Sequence, residues 1–182
     1  MIIDENSPIT QVDPYGLLKL AIEYCCSTLY NNGLIQEYII LRLPAVLAPK
    51  SINFVTTLAY TLYNKKEVTL SGDSSYYNAC IDVISLARIV DTIVKERIYT
   101  CGPVNIGSIN SMKISDLVDF LQLELGVNVP VMWSKKGSWV GSNSPYTLDL
   151  TVASRCCLPL PTLESSLSNL CLLIEKEYFN TV

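Results

Sequence analysis

The stretch Asp13-Pro-Tyr-Gly-Leu-Leu-Lys19 places a tyrosine and a lysine four residues apart at the start of a helical segment. Asp13 is suited to cap the first free N–H groups, and Pro14 fits the first helical position, where a missing N–H costs nothing. Residues i and i+4 share a helix face, so Tyr15 and Lys19 are expected to point into one site. A phenolate is favoured beside an ammonium, which is the chemistry of a tyrosine acid/base. Taken alone the pair is weak evidence, because a Tyr/Lys pair on a helix surface is common. The rest of the chain decides its meaning.

Working outward, the helix is expected over Pro14–Asn31, closed by Asn31-Asn32-Gly33. Its apolar residues run most of the way round, which predicts burial on more than one side. Tyr38-Ile-Ile-Leu-Arg-Leu43 is a short, almost continuous apolar run. Such runs mark strands of a parallel sheet covered on both faces. Pro44 should end it, leaving Pro44–Pro49 as a loop at the strand's carboxyl edge, where open α/β sheets bind ligands. Further expected helices lie at about 52–64, 83–95, 116–125 (capped by Ser115) and 163–179, the last amphipathic and solvated. Short strands are expected near 67–70, 76–81, 103–106, 112–114, 127–133 and 148–150, with a helical turn at 151–157. The loop around Trp133, Lys135, Lys136 and Trp139 is expected to be exposed. The fold class is α/β.

Composition narrows the function. The 182-residue chain carries a net charge of −4 and no extended basic cluster, which argues against nucleic-acid binding. No apolar run reaches membrane-span length, and the N-terminus lacks a basic signal-peptide region, so a cytoplasmic location is expected. There is no histidine, and the seven cysteines include no C-x-x-C spacing, which removes histidine triads and zinc-type metal sites. The thiols are expected to be reduced and mostly buried. Hydrophobic residues make up 49% of the chain and the mean hydropathy is +0.31. That excess points to a surface buried against a partner, or to a piece of a larger protein.

Six segments in order resemble the extended short-chain dehydrogenase/reductases, the NAD-dependent epimerase/dehydratase family of nucleotide-sugar enzymes. Asp4-Glu-Asn-Ser-Pro8 is similar to that family's acidic loop before the catalytic helix, and Tyr15-Gly-Leu-Leu-Lys19 to its Y-G-x-S-K motif. Leu41-Arg-Leu-Pro-Ala-Val46, ending at Pro49, resembles its L-R-x-x-x-V-Y-G-P segment. Leu70-Ser-Gly-Asp73 resembles its GDG turn, Val104-Asn-Ile-Gly-Ser108 its F-N-I-G-S strand, and Leu148-Asp-Leu-Thr-Val-Ala-Ser154 its D-x-S-K-A segment.

The resemblance implies a partial Rossmann-like domain, residues 1–50 and 81–108, and a small α/β substrate-binding domain, residues 51–80 and 109–182. It implies Tyr15 and Lys19 as catalytic residues that also touch the cofactor, with Pro44, Ala45 and Val46 flanking an NAD or NADP nicotinamide. Asn78 falls at a substrate-contact position where the family often has arginine, so a charge-assisted phosphate contact is replaced by a neutral amide. Leu18 replaces a Ser or Thr, and Leu47-Ala48 replaces Tyr-Gly. The family's G-x-x-G-x-x-G phosphate loop has no counterpart, and its catalytic Ser/Thr lies upstream of anything present. The implied protein is therefore the C-terminal half of an epimerase, dehydratase or reductase acting on a nucleotide sugar, truncated or split and inactive alone. Its expected partner is a homo-oligomer mate or a separate N-terminal half. The alternative is a catalytically dead module that binds partners or oligomerises.

Overall fold

The computed structural model describes residues 2–9, 13–70, 76–77, 79–134 and 147–179. In chain order the elements are β1 (Ile2–Ile3), α1 (Pro14–Asn31), β2 (Ile40–Arg42), β3 (Ala45–Leu47), α2 (Phe54–Tyr63), β4 (Val68–Leu70), β5 (Tyr76–Tyr77), β6 (Cys80–Asp82), α3 (Val83–Glu96), β7 (Pro103–Asn105), β8 (Met112–Lys113), α4 (Ile114–Glu124), β9 (Val131–Trp133), β10 (Thr147–Leu148), α5 (Thr151–Arg155) and α6 (Leu163–Phe179). The α/β class expected from the sequence is the one observed. Strands pair in parallel as β1 with β10, β2 with β7, β3 with β6 and β4 with β9; β5 and β8 pair antiparallel.

Two apolar clusters organise the chain. One gathers Leu47, the buried faces of α2, α4 and α6, and Val68 and Leu70 of β4. The other gathers Ile81, Ile89, Ile93, Val104, Ile106, Ala153 and Leu158, with Ile39, Leu41 and Val46 packed against them. Local signals explain the helix boundaries. The Asp82 side chain accepts from the N–H groups of Ile84 and Ser85 and so starts α3. Arg97, in the left-handed region at φ 53°, ends it.

Several expectations need correction. Residues 44–49 are not all loop: Ala45–Leu47 form β3, because the strand resumes after Pro44 and pairs with β6. Ser115 does not cap α4. The helix starts at Ile114, two residues before the expected position, and the Ser115 hydroxyl turns to Asp116. The final helix is no solvated rod; Leu163, Ser166, Leu167, Leu170, Cys171 and Ile174 form a buried stripe through the larger cluster. All seven thiols are free, but only Cys80 and Cys171 are buried. The burial expected for α1 is absent as well: not one of its residues is buried.

Candidate functional site

The helix α1 begins as its sequence dictates. Pro14 occupies the first turn, and Asp13 Oδ1 accepts the Gly16 N–H at 2.6 Å. Tyr15 and Lys19 then project from one face. The Lys19 ammonium sits 5.2 Å from the centroid of the Tyr15 ring, a cation–π placement over the ring face. Tyr15 is 68% exposed, so its hydroxyl is open to an incoming ligand.

Facing this stripe is β2. Tyr15, Lys19, Ile22 and Glu23 on one side and Ile40, Leu41, Arg42 and Leu43 on the other bound a cleft of about 380 Å³. Its depth is held by one ion pair. Arg42 donates from Nε to Glu23 Oε1 at 3.0 Å and from Nη2 to Oε2 at 2.7 Å, a two-point geometry that fixes α1 against the strand end. The Glu23 carboxylate also raises the Arg42 pKa above its already high ordinary value, keeping the guanidinium charged. At the other end of α1, Tyr30 meets the Tyr38 ring edge-on, centroids 5.5 Å apart.

The N-terminal segment closes the floor. Arg42 Nη1 donates to the Glu5 carbonyl at 2.7 Å, and the Asn105 N–H donates to the Glu5 carboxylate at 2.9 Å. Asn105 Nδ2 reaches the Ile3 carbonyl. Arg42 and Asn105 are the last residues of β2 and β7, so the acidic loop lies across the carboxyl ends of two parallel strands. That is the end at which open parallel sheets bind ligands.

Of the residues singled out in the sequence, Tyr15 and Lys19 share the cleft. Pro44, Ala45 and Val46 do not line it: Val46 packs into the smaller apolar cluster, and Pro44 closes over Gly107, where an added Cβ would meet Leu148 Cδ1 at 3.0 Å and Pro44 Cγ at 3.3 Å. Asn78, the turn at Gly72 and the segment with Lys135, Lys136 and Trp139 lie outside the described residues. Sequence reasoning missed the structural role of Glu5, Glu23, Arg42 and Asn105. The signals were present: Arg42 is a lone charge in an apolar strand, and Glu23 continues the Tyr15–Lys19 stripe at the next i+4 step.

Among the described residues there is no metal-competent cluster of Cys, Asp and Glu, and no helix is long and apolar enough to cross a membrane.

The fold is similar to that of solved nucleotide-sugar epimerases and related enzymes. UDP-glucuronic acid 4-epimerase from Bacillus cereus, solved in complex with NAD, superposes with a TM-score of 0.76 at 20% identity, covering 98% of this chain and 57% of that one. UDP-glucose 4-epimerase from Thermotoga maritima, solved with UDP-glucose, gives 0.73 at 17% identity, covering 97% and 63%. RMD from Pseudomonas aeruginosa, complexed with NADPH, gives 0.75 at 14%, covering 97% and 60%. This chain thus spans less than two thirds of the length of these solved structures. No protein-family model and no curated relative matches it.

Proposed function

We propose that this chain is the C-terminal, acid/base-carrying part of an NAD(P)-dependent nucleotide-sugar epimerase, dehydratase or reductase. The observation that carries the reading is the Tyr15–Lys19 pair, set in an open cleft at the carboxyl end of β2 within a fold that covers 57% of an NAD-complexed epimerase. The domain division follows the same reading, with 1–50 and 81–108 as the nucleotide-side part and 51–80 and 109–182 as the substrate-side part. The two apolar clusters follow it in part: Leu47 belongs to the larger cluster, and Ala153 and Leu158 to the smaller one.

The residues present fit one end of such a cofactor. Tyr15 and Lys19 would hold its nicotinamide ribose; the family reading sets Pro44, Ala45 and Val46 behind the ring, although none of the three lines the cleft. The pyrophosphate end has no cradle here, because the G-x-x-G-x-x-G spacing is absent from the sequence. When bound, the cofactor supplies the hydride acceptor. The chain's own part is the proton: Tyr15 Oη takes it from a sugar hydroxyl and gives it back in the reverse half-step. Lys19, one turn along the same face, stabilises the phenolate. The family reading gives Asn78 a place among the substrate contacts.

The test is titration of NAD⁺ and NADP⁺ into the chain alone and into the chain with its complementary half. The chain alone is expected to show no micromolar binding. The combined protein is expected to bind and to oxidise a nucleotide sugar, with Tyr15→Phe lowering turnover about 10²–10⁴-fold. Micromolar binding by the chain alone would contradict the half-site reading. Wild-type turnover in Tyr15→Phe would remove the acid/base assignment.

A second reading, a partner-binding module without catalysis, is favoured by one observation. Lys19 lies over the face of the Tyr15 ring, as in a structural cation–π pair. A combined protein that binds no dinucleotide would establish it.

A further inference from the structure

Outside the cleft, one carboxylate is fully buried. Asp82, the last residue of β6, forms no ion pair among the described residues. A buried carboxylate stays charged only where donors and dipoles replace water. Its Oδ1 is well supplied. It accepts the N–H groups of Ile84 at 3.0 Å and Ser85 at 2.9 Å, at the positive end of α3, and Asn169 Nδ2 of α6 at 3.1 Å. Its Oδ2 has no partner among the described protein groups. The charge is felt next door: burial first, and the Asp82 carboxylate second, push the Cys80 thiol up.

A second orphaned group lies on the helix that covers it. Ser166 of α6 is fully buried, and its hydroxyl also has no partner among the described protein groups. A serine inside a helix commonly bonds back to the carbonyl one turn earlier. Here the Thr162 carbonyl takes the Ser166 N–H at 3.1 Å, and the hydroxyl does not join it. Ser166 stands three residues before Asn169, so the two share the α6 face that meets Asp82. Helix α6 packs directly on β6. Two polar atoms without protein partners therefore belong to one contact, and they are not bonded to each other. Buried polar atoms are seldom left so, because each gave up its hydrogen bonds to water on folding.

We infer that the contact between α6 and β6 is a binding site for a buried water, which bridges Asp82 Oδ2 and Ser166 Oγ. The water donates to the carboxylate and accepts the serine hydroxyl. These groups supply two of the roughly two to four partners that a buried water takes. A cation is the other chemical answer to a bare carboxylate oxygen. Hard divalent cations take about six or more oxygen ligands, and among the described residues no three His, Cys, Asp or Glu side chains gather to hold one. The place gives the site its meaning. Ile81 of β6 belongs to the smaller apolar cluster, and Cys80 with the buried stripe of α6 to the larger. The water thus makes the joint between the two clusters polar. A water-bridged joint can exchange hydrogen bonds as its two sides shift, whereas close-packed side chains resist such a shift. The inference is independent of the functional reading above.

The direct test is a crystal structure of the full chain at a resolution that orders water. The expected result is a water within hydrogen-bond distance of both Asp82 Oδ2 and Ser166 Oγ. In solution, relaxation dispersion of the water oxygen reports long-lived buried waters. Ser166→Val puts a larger apolar side chain into the contact and is expected to lose part of that signal. Ser166→Ala, the variant to use if valine does not fold, removes one of the two partners and is expected to lose signal through a shorter residence of the water. A direct Ser166–Asp82 hydrogen bond in the crystal overturns the inference, as does a contact with neither bond nor water. A cation in the density, or a neutral Asp82 carboxyl at neutral pH read from its carbon chemical shift, overturns it as well. Unchanged dispersion in the folded Ser166 variants removes the bridge.

Discussion

Two helices of similar length and similar apolar content have opposite fates in this molecule. In α6, Leu163, Leu167, Leu170 and Ile174 are fully buried, and the helix packs on α2, α4, β3 and β6. In α1, no residue is buried, although its leucines, isoleucine and tyrosines are just as apolar. The difference lies in what surrounds each helix. The α6 stripe sits inside the larger cluster, whereas α1 lies beside β2, which among the described residues pairs with β7 alone. Apolar residues there are a surface prepared for contact, since large exposed apolar patches mark interaction sites. The lesson is that a hydrophobic pattern reports what a residue is suited to touch, and whether the partner is in the same chain is a separate question.

The contrast has a direct test, which also has the largest expected effect. Leu167→Ala should destabilise by about 2–5 kcal/mol, because a buried leucine in a filled cluster leaves a cavity. Leu18→Ala, at the exposed face of α1, should stay within about 0.5 kcal/mol. Urea unfolding of the two variants compares them. A Leu18→Ala cost as large as that of Leu167→Ala would mean that α1 is packed after all, and the contrast would be lost.

Next in size is Asp82→Ala, at the junction of the two regions. Asp82 is fully buried, caps α3 through two N–H groups and accepts Asn169 Nδ2 of α6 at 3.1 Å. Its loss removes a cap and the bond to the half-buried Asn169 amide, an expected cost of about 2 kcal/mol in thermal or urea unfolding. Because the side chain joins α3 to α6, hydrogen exchange should accelerate in both helices. Acceleration in α3 alone would reduce Asp82 to a local cap.

How far the sequence reveals these features depends on whether their cause is local. The limits of α1 were legible to the residue, since Asp13, Pro14 and Asn32-Gly33 are local signals. The apolar run around β2 was legible as a parallel strand, but the expected cover on both faces was not found: Ile40–Arg42 are half-buried and Leu43 is exposed. The role of residues 44–47 was not. Pro44 reads as a stop, yet pairing with β6 restores a strand one residue later, and that partner lies far along the chain. The start of α4 misled for a related reason: Ser115 is a good cap by type, but burial of Ile114 pulls the helix back past it. At the site, the i, i+4 spacing of Tyr15 and Lys19 was readable, while the clamp of Arg42 on Glu23 spans nineteen residues and the bond of Asn105 to Glu5 spans a hundred.

The clamp gives the third test. Glu23→Gln should cost about 1 kcal/mol, as expected for a partly exposed charged pair, with the effect shrinking at high salt. The loss should be local. Amides of α1 should exchange faster while those of α6 stay unchanged, which separates the exposed helix from the packed one. Equal acceleration in α6 would show that the two regions unfold together.

The smallest effect expected is in acid, on the side of α6. Both Glu164 carboxylate oxygens accept Asn110 Nδ2 at 3.0 Å, and Asn110 Oδ1 accepts the Leu163 N–H at 2.8 Å, which together start the helix. Hydrogen bonding from Asn110 is the main cause that lowers the Glu164 pKa below the ordinary carboxylate value. A carboxylate with a lowered folded pKa contributes stability that is fully present above its unfolded value, about 4.3. That contribution is lost as pH falls through the folded value. Stability measured from pH 6 down to pH 3 should therefore decline less steeply in Glu164→Gln than in the wild type. The α1 side provides the comparison: Leu18→Ala touches no titrating group, so its acid decline should match that of the wild type. Parallel curves for Glu164→Gln and wild type would show that the Asn110–Glu164 bond carries no acid sensitivity, and the start of α6 would then rest on burial of Leu163 and on its N–H bond to Asn110.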